Sequence, residues 1–246
     1  MPKIRLLLLG IVLLTPPAWS AESNSNQGRK IISFPNGNAE TTITGRISGR
    51  THNDYQLRAA AGQRLSVSLD SANRSIYFNL LPPGSRDVAM ARGEMNDNHY
   101  TGLLPDDGLY TIRVFLVRAA ARRGSAADYT LKVGADGAPL PPTAASKDAL
   151  VKGTRYHATA TTPCAPAYSQ ARECATGVVR RGVDGTATVE LRWGEGGLRR
   201  ILFVKGEAKA ADTEAAMKSN RNERGWVVEF EGGEHFDIPE PLVFGG

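Results

Sequence analysis

From Ile31 onward, apolar and polar residues alternate with a period of two in a series of short segments. In each segment every second side chain is apolar, which is typical of a β-strand that buries one face. The clearest segments are Leu65 to Leu69, Ile76 to Leu80, Tyr110 to Leu116 and Tyr129 to Val133. Turn signals separate them at Ala61-Gly62-Gln63, Pro82-Pro83-Gly84 and Pro105-Asp106-Asp107-Gly108. Because one-faced sheets need a second sheet to cover them, the pattern predicts a sandwich of about seven strands over residues 29–135.

The alternation stops after residue 135 and returns later, which divides the chain into two predicted domains. Residues 136–148 are rich in proline and alanine and lack periodicity, so we expect a linker there. Strand patterns recur at Ala187 to Trp193, Ile201 to Val204 and Trp226 to Phe230. The predicted fold class is therefore all-β, with an antiparallel β-sandwich followed by a second small, mainly β domain over residues 149–246.

Three further features of the second domain predict its local structure. The stretch from Ala208 to Lys218 contains Ala, Glu, Lys and Met, and it is predicted as a helix of two or three turns. Arginines stand at Arg180, Arg181, Arg199 and Arg200, and we expect them on the exposed faces of strands. Cys164 and Cys174 are the two cysteines of the chain, and in an exported protein such a pair favours a disulfide over a metal site. Closing this short loop would stabilise the domain by about 2–3 kcal/mol.

The first residues have the pattern of an export signal. Lys3 and Arg5 precede an apolar run from Leu6 to Leu14, which is too short to span a bilayer as a helix. Two prolines follow, and Ala18 and Ser20 supply small residues for cleavage after Ser20. Residues 1–20 are therefore predicted to be a signal peptide, and the polar residues 21–28 a disordered leader. No later segment is apolar enough to predict a membrane span after cleavage.

Charge and motif content argue against several functional classes. The formal net charge of +5 falls to about +3 without the signal peptide, which does not indicate nucleic-acid binding. The four histidines are isolated, and no nucleophile elbow or phosphate-binding loop is present. We therefore predict no enzyme activity, no cofactor and no metal site. Asp106 and Asp107 could ligate calcium, but their Pro-Asp-Asp-Gly turn explains them without a metal.

One dense cluster of charge lies between two predicted strands. Arg118-Ala119-Ala120-Ala121-Arg122-Arg123-Gly124 is predicted as a hairpin loop at one rim of the sandwich. A single helical turn would place Arg118 and Arg122, four residues apart, on the same side. Arginine can bind a carboxylate through two parallel hydrogen bonds, so the loop suits a partner with an acidic cleft. The alternative is a set of solvated loop charges.

Several short motifs occur in the same order as in a known protein family. The motifs are Ser48-Gly49 followed by Asp54-Tyr55, Ala61-Gly62-Gln63-Arg64-Leu65, Tyr77-Phe78-Asn79, Leu104-Pro105-Asp106-Asp107-Gly108-Leu109-Tyr110, and the arginine loop followed by Asp128-Tyr129. Over about residues 42–135 the chain resembles the periplasmic inhibitors of g-type (goose-type) lysozyme from Gram-negative bacteria. The arginine loop is the specific part, because other exported sandwich domains share the shorter motifs.

The resemblance implies a periplasmic β-sandwich that inserts a loop into the active-site cleft of its partner, a g-type lysozyme. By position, the partner-binding residues would be Tyr55, Arg118 and Arg122, with Arg123 beside them. Tyr55 has an alternative role as a strand residue packed in the core.

The chain carries about a hundred residues more than the usual single-domain inhibitor. This tail resembles a small module of uncharacterised exported bacterial proteins, to which no function is assigned. Two other functions therefore stay open: a non-enzymatic envelope module that binds peptidoglycan, polysaccharide or another surface polymer, and a calcium-dependent accessory domain.

Overall fold

The computed structural model describes residues 29–34 and 39–245. The predicted signal peptide and leader lie outside the described residues. Strands form most of the structure, together with two α-helices of five residues each, α1 (Arg118–Arg122) and α2 (Glu240–Phe244). The predicted all-β fold class is confirmed.

The first part of the chain forms two sheets that face each other. Its strands are β1 (Lys30–Ile31), β2 (Glu40–Ser48), β3 (His52–Ala59), β4 (Arg64–Asp70), β5 (Ile76–Leu81), β6 (Ala91–Arg92), β7 (His99–Leu103), β8 (Gly108–Leu116) and β9 (Ala126–Asp136). One sheet has the order β1-β3-β8-β5-β6 and the other β2-β9-β4-β7. All pairs are antiparallel except β1 with β3.

The alternating residues fill the space between these two sheets. Along β4, the apolar Leu65, Val67 and Leu69 are buried, while the serines between them are more exposed. Tyr110 and Ile112 of β8 come from the opposite sheet and belong to the same hydrophobic cluster. Burial of one face of each sheet is the arrangement that the period of two predicts.

The second part of the chain forms a single antiparallel sheet of eight strands. These strands are β10 (Ala158–Ala165), β11 (Glu173–Arg180), β12 (Ala187–Trp193), β13 (Gly197–Val204), β14 (Glu207–Ala211), β15 (Met217–Asn222), β16 (Gly225–Phe230) and β17 (Glu234–Pro239). Their order is β14-β13-β12-β11-β10-β17-β16-β15, and a separate core contains Phe203, Trp226 and Phe236. Cys164 and Cys174 form the predicted disulfide, which joins β10 to β11.

The predicted helix from Ala208 to Lys218 is wrong. Its first residues form β14, which pairs with β13, and its last residues begin β15, which pairs with β16. Helix propensity differs among residues by only a fraction of a kcal/mol each, so pairing with neighbouring strands outweighs it.

The two domains meet at a cluster of paired charges, most of them buried, which we call the domain joint. It consists of Asp106 and Asp107 from the first domain and Arg155, Arg181, Glu190 and Arg200 from the second. Asp106 is 1% exposed and accepts hydrogen bonds from Arg155 at 2.7 Å and Arg181 at 3.1 Å. Arg200 Nε lies 3.3 Å from the same carboxylate. Each buried charge thus faces an opposite charge, as burial of ions requires.

Glu190 completes the domain joint from the strand β12. Its carboxylate accepts hydrogen bonds from Arg155 at 2.9 Å and Arg200 at 3.0 Å, and another from the Tyr156 hydroxyl. Burial alone would raise the pKa of Glu190, but the Tyr156 hydrogen bond and the charges of Arg155 and Arg200 lower it to about 2. Glu190 is therefore ionised at neutral pH.

The expectation that the four arginines of the second domain are exposed is wrong. Arg180, Arg181 and Arg200 are buried, and Arg199 has a side chain that is 13% exposed. Arg180 pairs with Asp148, and Arg199 pairs with Glu234 and Asp212. These carboxylates lie elsewhere in the sequence, so the local pattern of the strands does not reveal them.

The segment between the two domains is attached to both of them. The Leu140 amide donates to the carbonyl of Ala61 in the first domain, and the Thr143 amide donates to the carbonyl of Arg180 in the second. Arg181 also donates to the Leu140 carbonyl at 2.6 Å. The predicted linker thus packs along the domain joint.

Candidate partner-binding site

The arginine loop contains the helix α1 and connects the two sheets of the sandwich. β8 before it and β9 after it lie in different sheets, so the loop is not the predicted hairpin. A helix of five residues lies at Arg118–Arg122 instead, which places the two terminal arginines four residues apart. Within the helix, Ala120 and Ala121 are buried against the sandwich, and the Ala121 amide donates to the carbonyl of Val117. Small buried alanines thus hold the helix close to the sandwich while the arginines face outward.

Three exposed arginines form what we call the arginine tip: Arg118, Arg122 and Arg123. Among residues 29–34 and 39–245, no hydrogen bond or ion pair joins their guanidinium groups to another side chain. No described residue therefore occupies their side-chain donors. The loop leaves the helix through Gly124, whose φ of +71° suits glycine.

Tyr55 lies in the core of the sandwich. Its side chain is 0% exposed, and its hydroxyl shares a 2.7 Å hydrogen bond with the hydroxyl of Tyr129. The Asn53 amide donates to the same Tyr129 hydroxyl at 2.7 Å. Burial and the Tyr129 hydrogen bond raise the pKa of Tyr55 well above its usual value. This position matches the packing alternative, and it leaves Tyr55 no exposed surface with which to contact a partner.

A groove of about 450 Å³ lies beside α1 and adds residues that sequence reasoning missed. Its lining includes Arg50, Arg113, Phe115, Arg118 and Arg122. Arg50 is far from the arginine loop in sequence and stands alone, so no local cluster reveals it. Its place follows from the pairing of β2 with β9, which brings Ser48 opposite Ala126.

Asp54 neutralises one of the arginines in this groove. Arg113 donates to both Asp54 oxygens, at 2.8 and 2.9 Å. Burial alone would raise the pKa of Asp54, but the hydrogen bonds and charge of Arg113 outweigh burial and lower it. The pair thus fixes the wall of the groove without adding net charge to it.

The structure also bears on calcium and on membranes. The Asp106 oxygens, which a calcium ion would need, accept hydrogen bonds from Arg155 and Arg181 instead. Within residues 29–34 and 39–245, no three His, Cys, Asp or Glu side chains form a group that could hold a metal ion. In the same residues, none of the helices has the length and apolar character that a bilayer crossing needs.

Comparison with known proteins finds a match in sequence to a lysozyme inhibitor. No protein-family model matches the chain. An inhibitor of g-type lysozyme from Escherichia coli (strain K12) is 29% identical over 134 residues, which are 53% of this chain and 95% of that protein. The first domain is similar to the inhibitors of g-type lysozyme. We therefore call the sandwich of β1 to β9 the inhibitor-like domain.

Solved structures of such inhibitors were also found. The periplasmic inhibitor of g-type lysozyme from Aeromonas hydrophila is 30% identical, covers 44% of this chain and 96% of its own, and has a TM-score of 0.42. The Salmonella Typhimurium inhibitor is 27% identical, with coverages of 44% and 99% and a TM-score of 0.37. Since both TM-scores are below 0.5, the resemblance of the inhibitor-like domain depends on the sequence match.

The arginine tip and the domain joint lie at opposite ends of the inhibitor-like domain. β8 begins directly after Asp107 and ends two residues before Arg118. Nine residues of strand span roughly 30 Å at about 3.3 Å per residue. The domain joint is thus at the end of the sandwich that is remote from the arginine tip, while a second contact joins Glu214 of the second domain to Arg92 of the edge strand β6 and to Asn96.

Proposed function

We propose that this protein is a periplasmic inhibitor of g-type lysozyme that blocks the active-site cleft of the enzyme with its arginine tip. The similarity to the Escherichia coli inhibitor over 95% of that protein carries the proposal. The exposed arginines of α1, which have no ion-pair partner among the described residues, support the mode of binding.

The chemistry of the target explains why arginines suit this role. Glycoside hydrolases generally act through a pair of carboxylic side chains that flank the bond they cleave. A guanidinium group can donate two parallel hydrogen bonds to such a carboxylate and stays charged at any physiological pH. Because the arginine tip has no carboxylate partner among the described residues, binding breaks no ion pair within the described part of the inhibitor.

In this proposal the protein has no catalytic activity and is exported. Removal of residues 1–20 would give a mature chain that begins at Ala21, which N-terminal sequencing of the periplasmic protein would reveal. A mature chain that still carries Met1 would contradict the proposed export route.

Inhibition itself is tested with purified mature protein and a panel of lysozymes. Lysis of peptidoglycan by a g-type enzyme should be prevented at micromolar inhibitor, whereas a c-type enzyme serves as the control for selectivity. A mature protein that leaves the g-type enzyme fully active would refute the proposal. Sedimentation with insoluble peptidoglycan is the companion assay, because an inhibitor of the enzyme has no need to bind the bare polymer.

A further inference from the structure

Arg50 lies in the turn between β2 and β3, next to the loop that contains α1. The Gly49 amide donates to the carbonyl of Ser125 at 2.9 Å, which fixes this turn against the end of the arginine loop. Thr51 closes the turn with a hydrogen bond from its hydroxyl to the Ser48 carbonyl at 2.7 Å. Arg50 is therefore held beside α1 by the backbone, although 68 positions separate it from Arg118.

Arg50, Arg118 and Arg122 line the same groove, which has an aromatic residue, Phe115, in its wall. Each of the three arginines is exposed to solvent. Between residues 29–34 and 39–245, no ion pair or hydrogen bond occupies the guanidinium group of Arg50. Since Asp54 neutralises Arg113, these three arginines give the groove a net positive charge.

The positive charge of this groove suits an acidic side chain. Three guanidinium groups around one opening can surround a carboxylate and share its two oxygens, and an adjacent aromatic wall excludes water from the contact. Partial removal of water strengthens the attraction between opposite charges.

We propose that Arg50 is a third partner-binding arginine and that its groove takes a carboxylate-bearing side chain of the lysozyme. This inference rests on the proposed function and extends it to a residue outside the arginine loop. Arg50 would then determine how tightly the partner binds, together with Arg118 and Arg122.

The test compares inhibition constants of R50A, R50K and R58A with that of the unchanged protein. R50A should raise the inhibition constant roughly 30-fold, the usual lower range for removal of one partner of a hydrogen-bonded charge pair. R50K should have an intermediate effect, because lysine keeps the charge but lacks the two-pronged geometry. Arg58 is the matched control, since it is exposed on β3 opposite Leu109, near the domain joint.

The outcomes separate this inference from the proposed function. If R118A weakens inhibition and R50A behaves like R58A, then the role of Arg50 is wrong while the function stands. If the unchanged protein inhibits no g-type lysozyme, the function is wrong, and NMR of the arginine Nε–Hε groups then tests the groove directly. Titration with tetraglutamate, but not tetraglutamine, should shift the signals of Arg50, Arg118 and Arg122. Unshifted signals would overturn the groove as a carboxylate site.

Discussion

The arginine tip and the domain joint use the same side chain in opposite ways. At the domain joint, Arg181 and Arg200 are buried and meet the carboxylate of Asp106, which comes from the other domain. At the arginine tip, Arg118 and Arg122 are exposed and meet no carboxylate within the described residues. A paired, buried arginine fixes the position of the chain around it, whereas an unpaired, exposed arginine retains its capacity to bind.

This difference separates the two regions experimentally. Substitution at the domain joint should change stability, because it leaves a charge buried without a partner. Substitution at the arginine tip should change binding and leave stability close to its original value, because exposed residues without partners contribute little to folding. Each prediction below tests one side of this contrast.

The largest effect is expected at Asp106. Asp106→Asn keeps the shape of the side chain but removes the negative charge that three arginines share, so we expect a loss of about 3–5 kcal/mol in the free energy of unfolding. Urea denaturation followed by tryptophan fluorescence measures it, since Trp193 and Trp226 both lie in the second domain. Asp136→Asn is the control, because Asp136 is exposed and should change stability by less than about 0.5 kcal/mol. Equal stabilities of the two variants would contradict the role of the domain joint.

The arginine tip should show the reverse behaviour. Arg118→Ala and Arg122→Ala are each expected to weaken binding to a g-type lysozyme by about 2–5 kcal/mol, since each leaves an enzyme carboxylate unpaired in the interface. Titration calorimetry measures the binding, and the denaturation curve of each variant should overlay that of the unchanged protein. Unchanged binding would move the contact surface away from α1.

A dependence on pH should arise at Glu190 in the domain joint. Its pKa is lowered to about 2 in the folded protein, so its ionised form contributes stability above the unfolded pKa of about 4.5. That contribution, about 3 kcal/mol at most, is lost as pH falls from about 4.5 to about 2. The difference in unfolding free energy between the unchanged protein and Glu190→Gln should therefore shrink over this range. A constant difference would show that the charge of Glu190 is not responsible.

The smallest effect is expected from the disulfide. Replacing both Cys164 and Cys174 by serine should cost about 2–3 kcal/mol of stability in the second domain, because the unfolded chain gains freedom. Inhibition should be unchanged at temperatures where the domain stays folded, since the disulfide and the arginine tip lie in different domains. Loss of inhibition by the folded double variant would show that the second domain takes part in binding.

Local features of the structure could be predicted from the sequence. The strands β4, β5, β8 and β9 follow from alternation, because burial of one face imposes a period of two on neighbouring residues. The position of the arginine loop between β8 and β9 follows from the two alternating segments that flank it. The cysteine pair follows from its short loop and the predicted export.

Features that depend on distant partners could not be predicted in this way. The strand pattern predicts that Arg181 is exposed, but folding brings it beside Asp106, which lies 75 positions away in the sequence. The composition of Ala208 to Lys218 likewise favours a helix, but β14 and β15 form there because they pair with neighbouring strands. Arg50 joins the groove only through the pairing of β2 with β9. In each case the deciding contact comes from tertiary structure.

The single strand β8 connects the domain joint to the arginine tip, and this has a practical use. A fluorophore or a solid support attached beside the domain joint would be held roughly 30 Å from α1, the length of nine residues of strand. The protein could thus be immobilised at the domain joint for surface-based capture assays without masking the arginines.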